Sequence, residues 1–455
     1  QIVDVFVPGD VPNVPALAAR DHDIEGSIAE CAGRQDLARS FGKLGLGSTA
    51  LHLGHLGAPH VHVWTGDSTF AASLDCRHTQ LKSRIVHGGV LSVVRRAAPL
   101  AKPEETPMPI VAADRLTAIA STLLQCAGAS KEEGDTVAKG CVAANLAGHD
   151  SHGVIAIPTY IDRMGKGHIV PGAPFEIKQE TATTTVVDGN WGFGFVVAEK
   201  TAKLTMEKAK KSNVAAATIL RQSHVGRLGA YPLMAAREGF IAIMTADSGR
   251  SPKAVAPFGG REARLGTNPI SIAIPSDLDG PFVLDMATSG VAVGKIKLAQ
   301  ARGTKIPEGW IVNKDGKPTT DPFDYDKGGV LLPLGGAEGF KGSGLSAVVE
   351  VLSAVLPGLG FGVDPTGRHN DGCFLAMFKV EAFRPLAQFK AEVADFARYL
   401  KATPPAEGYS EVMYPGEVEY RREQERLKSG IEVDAKTWKN FGDLAAKYGK
   451  DGLVA

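Results

Sequence analysis

Hydrophobic positions first recur at a regular spacing just after residue 110. From Ala113 to Cys126, apolar residues lie three and four positions apart, which predicts a helix. Ser130 and Glu133 have the spacing of a capping box, so a second helix is predicted from there to Leu146. A third helical stretch is predicted at residues 160–164. The chain therefore opens its regular part with helices.

Downstream, short apolar runs alternate with amphipathic ones, which is typical of a layered α/β core. The runs with strand character are residues 184–187, 214–220, 240–245, 270–274, 282–284 and 374–380. The segments with helical spacing between them are residues 197–211, 228–238 and 345–356. The last segment, from about residue 386 to 455, is charged and is expected to be mostly helical.

Residues 1–107 lack this regularity. The segment holds seven of the twelve histidines, precedes the first methionine, Met108, and ends in a proline-containing stretch typical of a linker. We expect residues 1–107 to be an unrelated N-terminal extension outside the main fold. The expected main unit is 108–455, with a helical part at about 108–180, an α/β core at about 181–385 and a helical tail at about 386–455.

Composition excludes several classes of function. The formal net charge is zero, so no global field attracts nucleic acid or an anionic membrane. The sequence has no uninterrupted apolar run long enough for a membrane span, and it does not begin like a signal peptide. Its five cysteines lack the spacing of a disulfide framework or zinc site, so we expect reduced thiols, a cytoplasmic location and no metal.

Two polar segments follow predicted strands. His224 comes just after the strand at 214–220, and Ser248 lies in the polar stretch after the strand at 240–245. Open α/β folds place ligands at the carboxyl ends of strands, so both residues are expected at one edge. Histidine exchanges protons near neutral pH, which suits an acid/base role for His224. The alternative is an ordinary hydrogen-bonded loop histidine.

Three further segments carry candidate chemistry. The stretch 148–153 places Ser151 and His152 in a predicted tight turn, and the alternative is a helix boundary with Ser151 as its cap. Lys341 lies in a glycine-rich stretch before a predicted helix, a phosphate-binding arrangement or simply a flexible helix entry. Asp285 leaves an apolar strand, which suits ribose or phosphate contact but also describes a plain turn.

Nine short motifs follow one another along the chain. They are DSHGV at 150–154, VDG at 187–189, SHVG at 223–226, APFGG at 256–260, LGTNP at 265–269, LDMATS at 284–289, PTTD at 318–321, LGG at 334–336 and PGE at 415–417. In order and spacing the series resembles the type-2 malate/L-lactate dehydrogenase family, which includes malate, sulfolactate and ureidoglycolate dehydrogenases. The likeness runs from about Met108 to the carboxyl terminus and does not include the first 107 residues.

The resemblance implies an α/β fold distinct from the Rossmann domain: a non-Rossmann NAD(P)-binding fold of the malate/L-sulfolactate dehydrogenase type. It also implies a homodimer with NAD or NADP in an extended groove. His224 matches the proton-exchanging histidine of the family, and His152 matches a second active-site histidine. The positions that match cofactor contacts are Ser248, Asp285, Met286, Ala287, Lys341, Asn370, Asp371 and Gly372.

One departure from the family concerns the substrate. Many members carry an arginine four residues after the first histidine, where this chain has Ala156. Alanine cannot make the bidentate contact of a guanidinium with a carboxylate. Either another cation such as Arg163 or Lys166 binds the substrate, or the substrate differs. Ser151 and Arg163 are therefore the predicted substrate contacts.

The predicted function is an NAD(P)-dependent oxidoreductase that interconverts a small 2-hydroxy acid and its 2-oxo acid. Its partners are expected to be a small molecule and a second copy of the chain, with no nucleic acid and no membrane. An NAD(P)H-dependent cyclic imino-acid reductase is the first alternative. A non-catalytic nucleotide-binding protein is an alternative of another class, against which the presence of both His152 and His224 argues.

Overall fold

The computed structural model describes residues 108–454, except 249–252, 363–367 and 369, together with three short strands nearer the amino terminus. The chain divides into two units, Gln1–Glu105 and Thr106–Ala455.

In the first unit three strands form one small sheet. Strand β1 (Val3–Val5) pairs in parallel with β2 (His60–Trp64), which pairs antiparallel with β3 (Ala71–Asp75). The rest of the expected extension at 1–107 lies outside the described residues.

The second unit contains helices and strands in alternation. Its helices are α1 Ala113–Cys126, α2 Lys131–Leu146, α3 Ile157–Gly165, α4 Gly194–Ser212, α5 Ala230–Arg237, α6 Val293–Arg302, α7 Phe340–Glu350, α8 Leu386–Lys401, α9 Glu417–Ser429 and α10 Ala435–Lys447. Its strands are β4 Ile110–Val111, β5 Glu176–Glu180, β6 Thr184–Asp188, β7 Val214–Leu220, β8 Phe240–Ser248, β9 Ile270–Ile274, β10 Phe282–Met286, β11 Ile311–Val312, β12 Pro318–Thr319, β13 Val330–Leu331, β14 Asp371–Lys379 and β15 Ile431–Glu432. No helix in the described part of the chain is both long and apolar enough to cross a membrane.

The central sheet has seven strands in the order β10-β9-β8-β14-β7-β6-β5. Only β6 and β7 pair in parallel; every other neighbouring pair is antiparallel. Strand β14 comes late in the chain yet lies between β7 and β8 and runs against both. The carboxyl ends of β7 and β8 therefore meet at one edge of the sheet, on either side of the first residues of β14.

The helices at the two ends of this unit share one core. Helix α1 buries Leu116, Ile119 and Leu123, which its periodicity places on one face. Helix α2 begins with the predicted capping box, in which Ser130 and Glu133 each bond the other's backbone N–H. The C-terminal segment returns to the same core with Phe441, and β15 pairs with β4.

Three predicted boundaries were wrong in the same way, because regular structure extends into polar sequence. Strand β8 continues to Ser248, so Asp247 is a strand residue rather than part of a loop. Strand β10 continues to Met286 and includes Asp285, and β14 already begins at Asp371. Backbone pairing in a sheet continues past the apolar run as long as the neighbouring strand supplies partners.

The predicted helix at 345–356 also begins earlier, with Phe340 as its first residue, and it becomes a π-helix over Val351–Val355. A Cβ atom on Gly342 would collide with the carbonyl oxygen of Leu334. This glycine is therefore explained by close helix packing, and the stretch around it is not an open loop.

A buried charge cluster joins β8 to α7. The ammonium group of Lys253 lies 3.1 Å from Asp247 and 2.9 Å from Glu350, and all three side chains are less than a tenth exposed. The amide of Asn268 also donates to Glu350, at 2.9 Å. Burial, opposed by Lys253 and assisted by the charge of Glu350, raises the pKa of Asp247 to about 7. One ammonium group thus faces two carboxyl groups that compete for it.

We expect Asp247→Asn to stabilise the protein increasingly as the pH rises. Native Asp247 keeps its proton up to about pH 7, whereas the unfolded chain releases it near the ordinary value of 3.8, so native stability falls between these pH values. The asparagine variant has no proton to release, so its stability does not fall in this way, and Lys253 still pairs with Glu350. Thermal melts from pH 4 to 8 measure the difference in Tm from wild type, with the exposed Glu262→Gln as control. A difference that does not change with pH would show that Asp247 is ionised throughout.

Candidate active site

Two of the predicted site residues come together although they lie far apart in the sequence. The imidazole rings of His152 and His224 stack with their centroids 5.6 Å apart and their planes 18° from parallel. His152 comes from a short 3-10 turn, Asp150–His152, after α2, whereas His224 follows β7. The pair therefore joins the helical core to the edge of the sheet.

The backbone around His224 is held on both sides. The Ser223 N–H donates to Gly192 at 3.0 Å, and the Ser223 hydroxyl accepts the Gly194 N–H at 3.0 Å. On the other side, the Val225 N–H donates to the carboxylate of Asp371 at 3.0 Å. These bonds fix His224 where β7 ends, although it belongs to no regular element.

A tyrosine that the sequence analysis did not single out contacts His224 directly. The Tyr160 hydroxyl lies 2.6 Å from His224 Nδ1. Burial raises the pKa of Tyr160 well above its usual value, so the phenol keeps its proton at neutral pH. The ring of Phe195 lies edge-on to both Tyr160 and His224. A sequence signal existed, because a tyrosine in the apolar stripe of α3 requires a partner for its hydroxyl.

The electrostatic surroundings keep the second histidine neutral. Burial is the main factor that lowers the pKa of His152, followed by the charge of His149, while Asp285 and Asp371 act in the opposite direction. The hydroxyl of Ser151 lies 3.1 Å from His152 Nδ1. Ser151 is exposed within the 3-10 turn and does not cap a helix.

Asp285 is already engaged by protein groups. Its Oδ2 atom lies 3.0 Å from Arg227 Nε and accepts the Gly229 N–H at 3.1 Å, at the start of α5. The Arg227 side chain is only 12% exposed, and its two terminal nitrogens make no hydrogen bond within the described residues. Arg227 is therefore a largely buried cation whose charge acts on His152, and the sequence analysis missed it. Its spacing three residues after His224 was the available signal.

The residues at the start of β14 lie at the same sheet edge. Asp371 pairs with Ser248 of β8, whose side chain is outside the described part. The side-chain oxygen atoms of Asn370 and Gln222 are buried and have no hydrogen-bond partner among the described residues. A Cβ on Gly372 would collide with the Ser353 carbonyl, so Gly372 is required for packing against the π-helix. Asp371 and Gly372 are buried residues at the start of strand β14.

The remaining predicted cofactor positions are half-buried or exposed. Met286 and Ala287 are partly buried at the end of β10. Lys341 is 69% exposed and pairs with Glu338 at 3.4 Å. The backbone N–H of Leu334 donates to Thr288, and Leu334 also abuts Gly342, so the end of β10 and the first turn of α7 are linked through this residue.

The two cations proposed to replace the missing arginine differ in position. Lys166 is exposed and pairs with Asp162 one helical turn away. Arg163 is half-buried on α3, three residues after Tyr160, and its charge acts on the Tyr160 phenol. Of the two, only Arg163 acts on Tyr160, the residue that contacts His224. Among the described residues, no group of three or more histidine, cysteine or acidic side chains is placed to hold a metal ion.

Known proteins share both the sequence and the fold. A sequence model of the malate/L-lactate dehydrogenase family matches residues 111–441. The malate dehydrogenase of Pyrococcus horikoshii is 34% identical over 348 residues, which cover 75% of this chain and 96% of that protein. A crystal structure of malate dehydrogenase from Entamoeba histolytica has a TM-score of 0.72 and 35% identity, covering 75% of this chain and 98% of that one. The δ1-piperideine-2-carboxylate reductase of Pseudomonas syringae pvar. tomato has a TM-score of 0.66 and 28% identity, covering 74% of this chain and all of that one.

The family resemblance carried by the nine motifs is confirmed by these matches, and so is the expected α/β fold of the malate/L-sulfolactate dehydrogenase type. The match spans well over half of the chain and contains both histidines of the pair. This chain belongs to the malate/L-lactate dehydrogenase family.

Proposed function

We propose that this protein is an NAD(P)-dependent oxidoreductase that interconverts a small 2-hydroxy acid and its 2-oxo acid. The observation that carries the proposal is the group formed by the half-buried His152 and His224 and the buried Tyr160 at the sheet edge. It supplies a proton-exchanging imidazole beside a second neutral imidazole, which suits an alcohol that becomes a carbonyl. The proposed catalytic unit is residues 108–455.

In this proposal His224 exchanges the proton of the substrate hydroxyl. We assign Nδ1–H of His224 as the donor to the Tyr160 hydroxyl oxygen, and Nε2 as the atom that exchanges the substrate proton. During oxidation Nε2 accepts the hydroxyl proton, and during reduction it returns a proton to the carbonyl oxygen. The second imidazole, His152, is neutral and lies in contact with the first, where it donates or accepts a hydrogen bond without adding charge.

The residues at the sheet edge fit a nicotinamide dinucleotide. The side-chain oxygens of Asn370 and Gln222 are buried and have no partner among the described residues, so they are acceptors that suit a ligand with N–H donors, such as a carboxamide. We propose that Ser248, Asn370 and Asp371 lie on one side of the cofactor. Asp285, Met286, Ala287 and Lys341 would lie along the rest of it, with Gly372 providing close packing. When bound, the nicotinamide ring supplies the two-electron redox chemistry.

The proposed cofactor is either NAD or NADP. Lys341 is an exposed cation at the first turn of α7 and would suit a cofactor phosphate. Because it serves equally for either cofactor, both are retained as substrates of the proposed reaction.

The substrate carboxylate requires a cation close to the histidine pair. We propose Arg163, with Ser151 as a neighbouring polar contact, because Arg163 lies one helical turn from Tyr160. Arg227 competes for this role, because its terminal nitrogens are unpartnered among the described residues and it is more deeply buried. Either guanidinium matches the geometry of a carboxylate.

A homodimer is the proposed assembly. Val348, Val351 and Val355 are each about half exposed and follow one another along α7 and its π-helical continuation. Exposed apolar side chains on one face are typical of an interface. The cytoplasmic location inferred from the cysteines stays a prediction.

A cyclic imino-acid reductase is the second candidate function. The structural similarity to the δ1-piperideine-2-carboxylate reductase supports it, at lower identity than the malate dehydrogenases. Such an enzyme would use the same proton-exchanging histidine for a C=N bond.

We expect the protein to consume NADH or NADPH with a small 2-oxo acid. Absorbance at the nicotinamide band measures this with pyruvate, oxaloacetate and sulfopyruvate, and with a cyclic imine as the competing substrate. A chain that begins at Met108 should give the same rates as the full chain. Turnover of the imine alone would select the reductase, and turnover of none of them would reject both.

We expect His224→Ala to reduce kcat by about 100- to 10,000-fold, the usual effect of losing a positioned acid/base group. The ionisation near neutral pH should disappear from its pH–rate profile. Tyr160→Phe keeps the ring but loses the bond to Nδ1, so it should shift that ionisation and cause a smaller loss. Tyr325→Phe is the matched control, because Tyr325 packs against a separate core that contains Ile311 of β11 and Leu331 of β13. An unchanged pH profile in His224→Ala would assign the proton to another group, His152 first.

We expect Arg163→Ala to raise the substrate KM by about 10- to 100-fold, because a hydrogen bond to a charged group is lost. The cofactor KM should stay close to wild type. Arg227→Ala is the comparison, measured in the same assay. If the substrate KM rises in Arg227→Ala and not in Arg163→Ala, the carboxylate binds beside Asp285 and the assignment to Arg163 is wrong.

A further inference from the structure

Helix α9 presents three side chains to the segment that leads into His152. Glu419, Arg422 and Arg426 are three and four residues apart and so lie on one face of the helix. The carboxylate of Glu419 lies 3.5 Å from His149 Nε2, and Arg426 reaches Asp150. The C-terminal part of the chain thus contacts a loop that stands more than 250 residues earlier in the sequence.

The contact of Arg426 is bidentate. Its Nη1 atom donates to Asp150 Oδ1 at 2.7 Å, and its Nη2 atom donates to Oδ2 at 3.1 Å. Nη1 also donates to the carbonyl oxygen of Asn145, the last-turn residue of α2. Partial burial by itself would raise the pKa of Asp150. The hydrogen bonds from Arg426 and Asn145 outweigh this effect, so the pKa lies below its usual value. Asp150 is therefore ionised, and the fork of Arg426 fits it geometrically.

The turn is closely packed, so its two glycines cannot be replaced by larger residues without collisions. Gly148 has a φ of +83°, and a Cβ there would lie 2.6 Å from the side chain of Arg422. A Cβ on Gly153 would collide with the amide of Asn145. The buried Asn145 donates to Asp150 at 2.7 Å and accepts the Val154 N–H at 2.9 Å. The segment on both sides of His152 is thus held by α2 and α9 together.

Helix α9 has its own attachments at both ends. Near its start, Glu417 is buried against Lys401 and Arg421. Just after its end, Ile431 pairs with Val111. The helix therefore stays in place without Arg426, so that removing this side chain releases the loop rather than the helix.

We propose that Arg426 is a positioning residue, which fixes the Asp150–His152 turn so that the His152 ring stays stacked on His224. The proposal rests on the proposed function in that His152 belongs to the active site. Arg426 itself touches neither substrate nor cofactor. A displacement of about 1 Å of an active-site group costs up to about 100-fold in rate.

The test compares Arg426→Ala and Arg426→Lys with Lys428→Ala in the full chain. Lys428 is exposed on the same helix, so its variant should match wild type. Arg426→Ala should reduce kcat by about 10- to 100-fold, with the cofactor KM almost unchanged. Arg426→Lys keeps the charge without the fork, so it should give an intermediate loss.

A second measurement does not depend on activity. Titration of the histidine ring protons by NMR, with the His152 signal assigned from His152→Asn, reports the pKa of His152. Burial lowers this pKa in the native turn, so release of the turn in Arg426→Ala should move it up towards the ordinary value. The Lys428→Ala variant should titrate as wild type does.

Two results would overturn the proposal. One is a His152 titration that is the same in Arg426→Ala as in wild type, even if Tm and kcat both fall, because that describes a purely structural role. The other is an unchanged kcat in both Arg426 variants of an active enzyme. If Arg426→Ala does not fold, Arg426→Lys and Asp150→Asn undergo the same two measurements. If no substrate is turned over, the proposed function fails, while the His152 titration still decides whether Arg426 holds the turn.

Discussion

The carboxylate of Asp371 holds the backbone that carries His224, and much of the site depends on this contact. Asp371 is the first residue of β14, which pairs with both β7 and β8. Its Oδ2 atom accepts the Val225 N–H, and its backbone bonds Gln222 on the other side. Because the strand between β7 and β8 is antiparallel to both, its beginning meets their carboxyl ends. One late strand therefore brings together the segment of His224, Ser248 and the buried amide of Asn370.

The histidine pair forms where two cores meet. His152 and Tyr160 belong to segments that pack on the helical core of α1, α2, α3 and α10. His224 follows a strand of the sheet core, which is built by β7, β8 and β14. Phe195, at the start of α4, lies against both Tyr160 and His224. Since each ring comes from a separately packed core, their stacking is set by the position of whole elements and not by local flexibility.

Buried ion pairs specify this arrangement more than they stabilise it. Removing two charges from water offsets most of their attraction, so pairs such as Arg227–Asp285 contribute little net stability. They are nevertheless demanding in geometry, because an unpaired charge at the same place would be costly. Arg227 with Asp285 connects the segment of His224 to β10, and Lys253 with Glu350 connects β8 to α7. The elements that surround the proposed cofactor site are thereby joined by directional contacts.

Periodicity, capping and motif order are local features of the sequence, and they were sufficient to predict many elements of this protein and its family. They predicted α1 and α2 with the capping box at Ser130, and the strands at 214–220 and 270–274 with the bounds that the structure has. The nine motifs identified the family, and the resemblance named both His152 and His224, whose rings stack in the structure. Tertiary structure alone decided that β14 lies between β7 and β8, that Tyr160 binds His224, and that Arg426 reaches Asp150. These contacts join residues separated by 60 or more positions, and a pattern of period two or 3.6 reports only which face of an element is buried, not which distant element covers it.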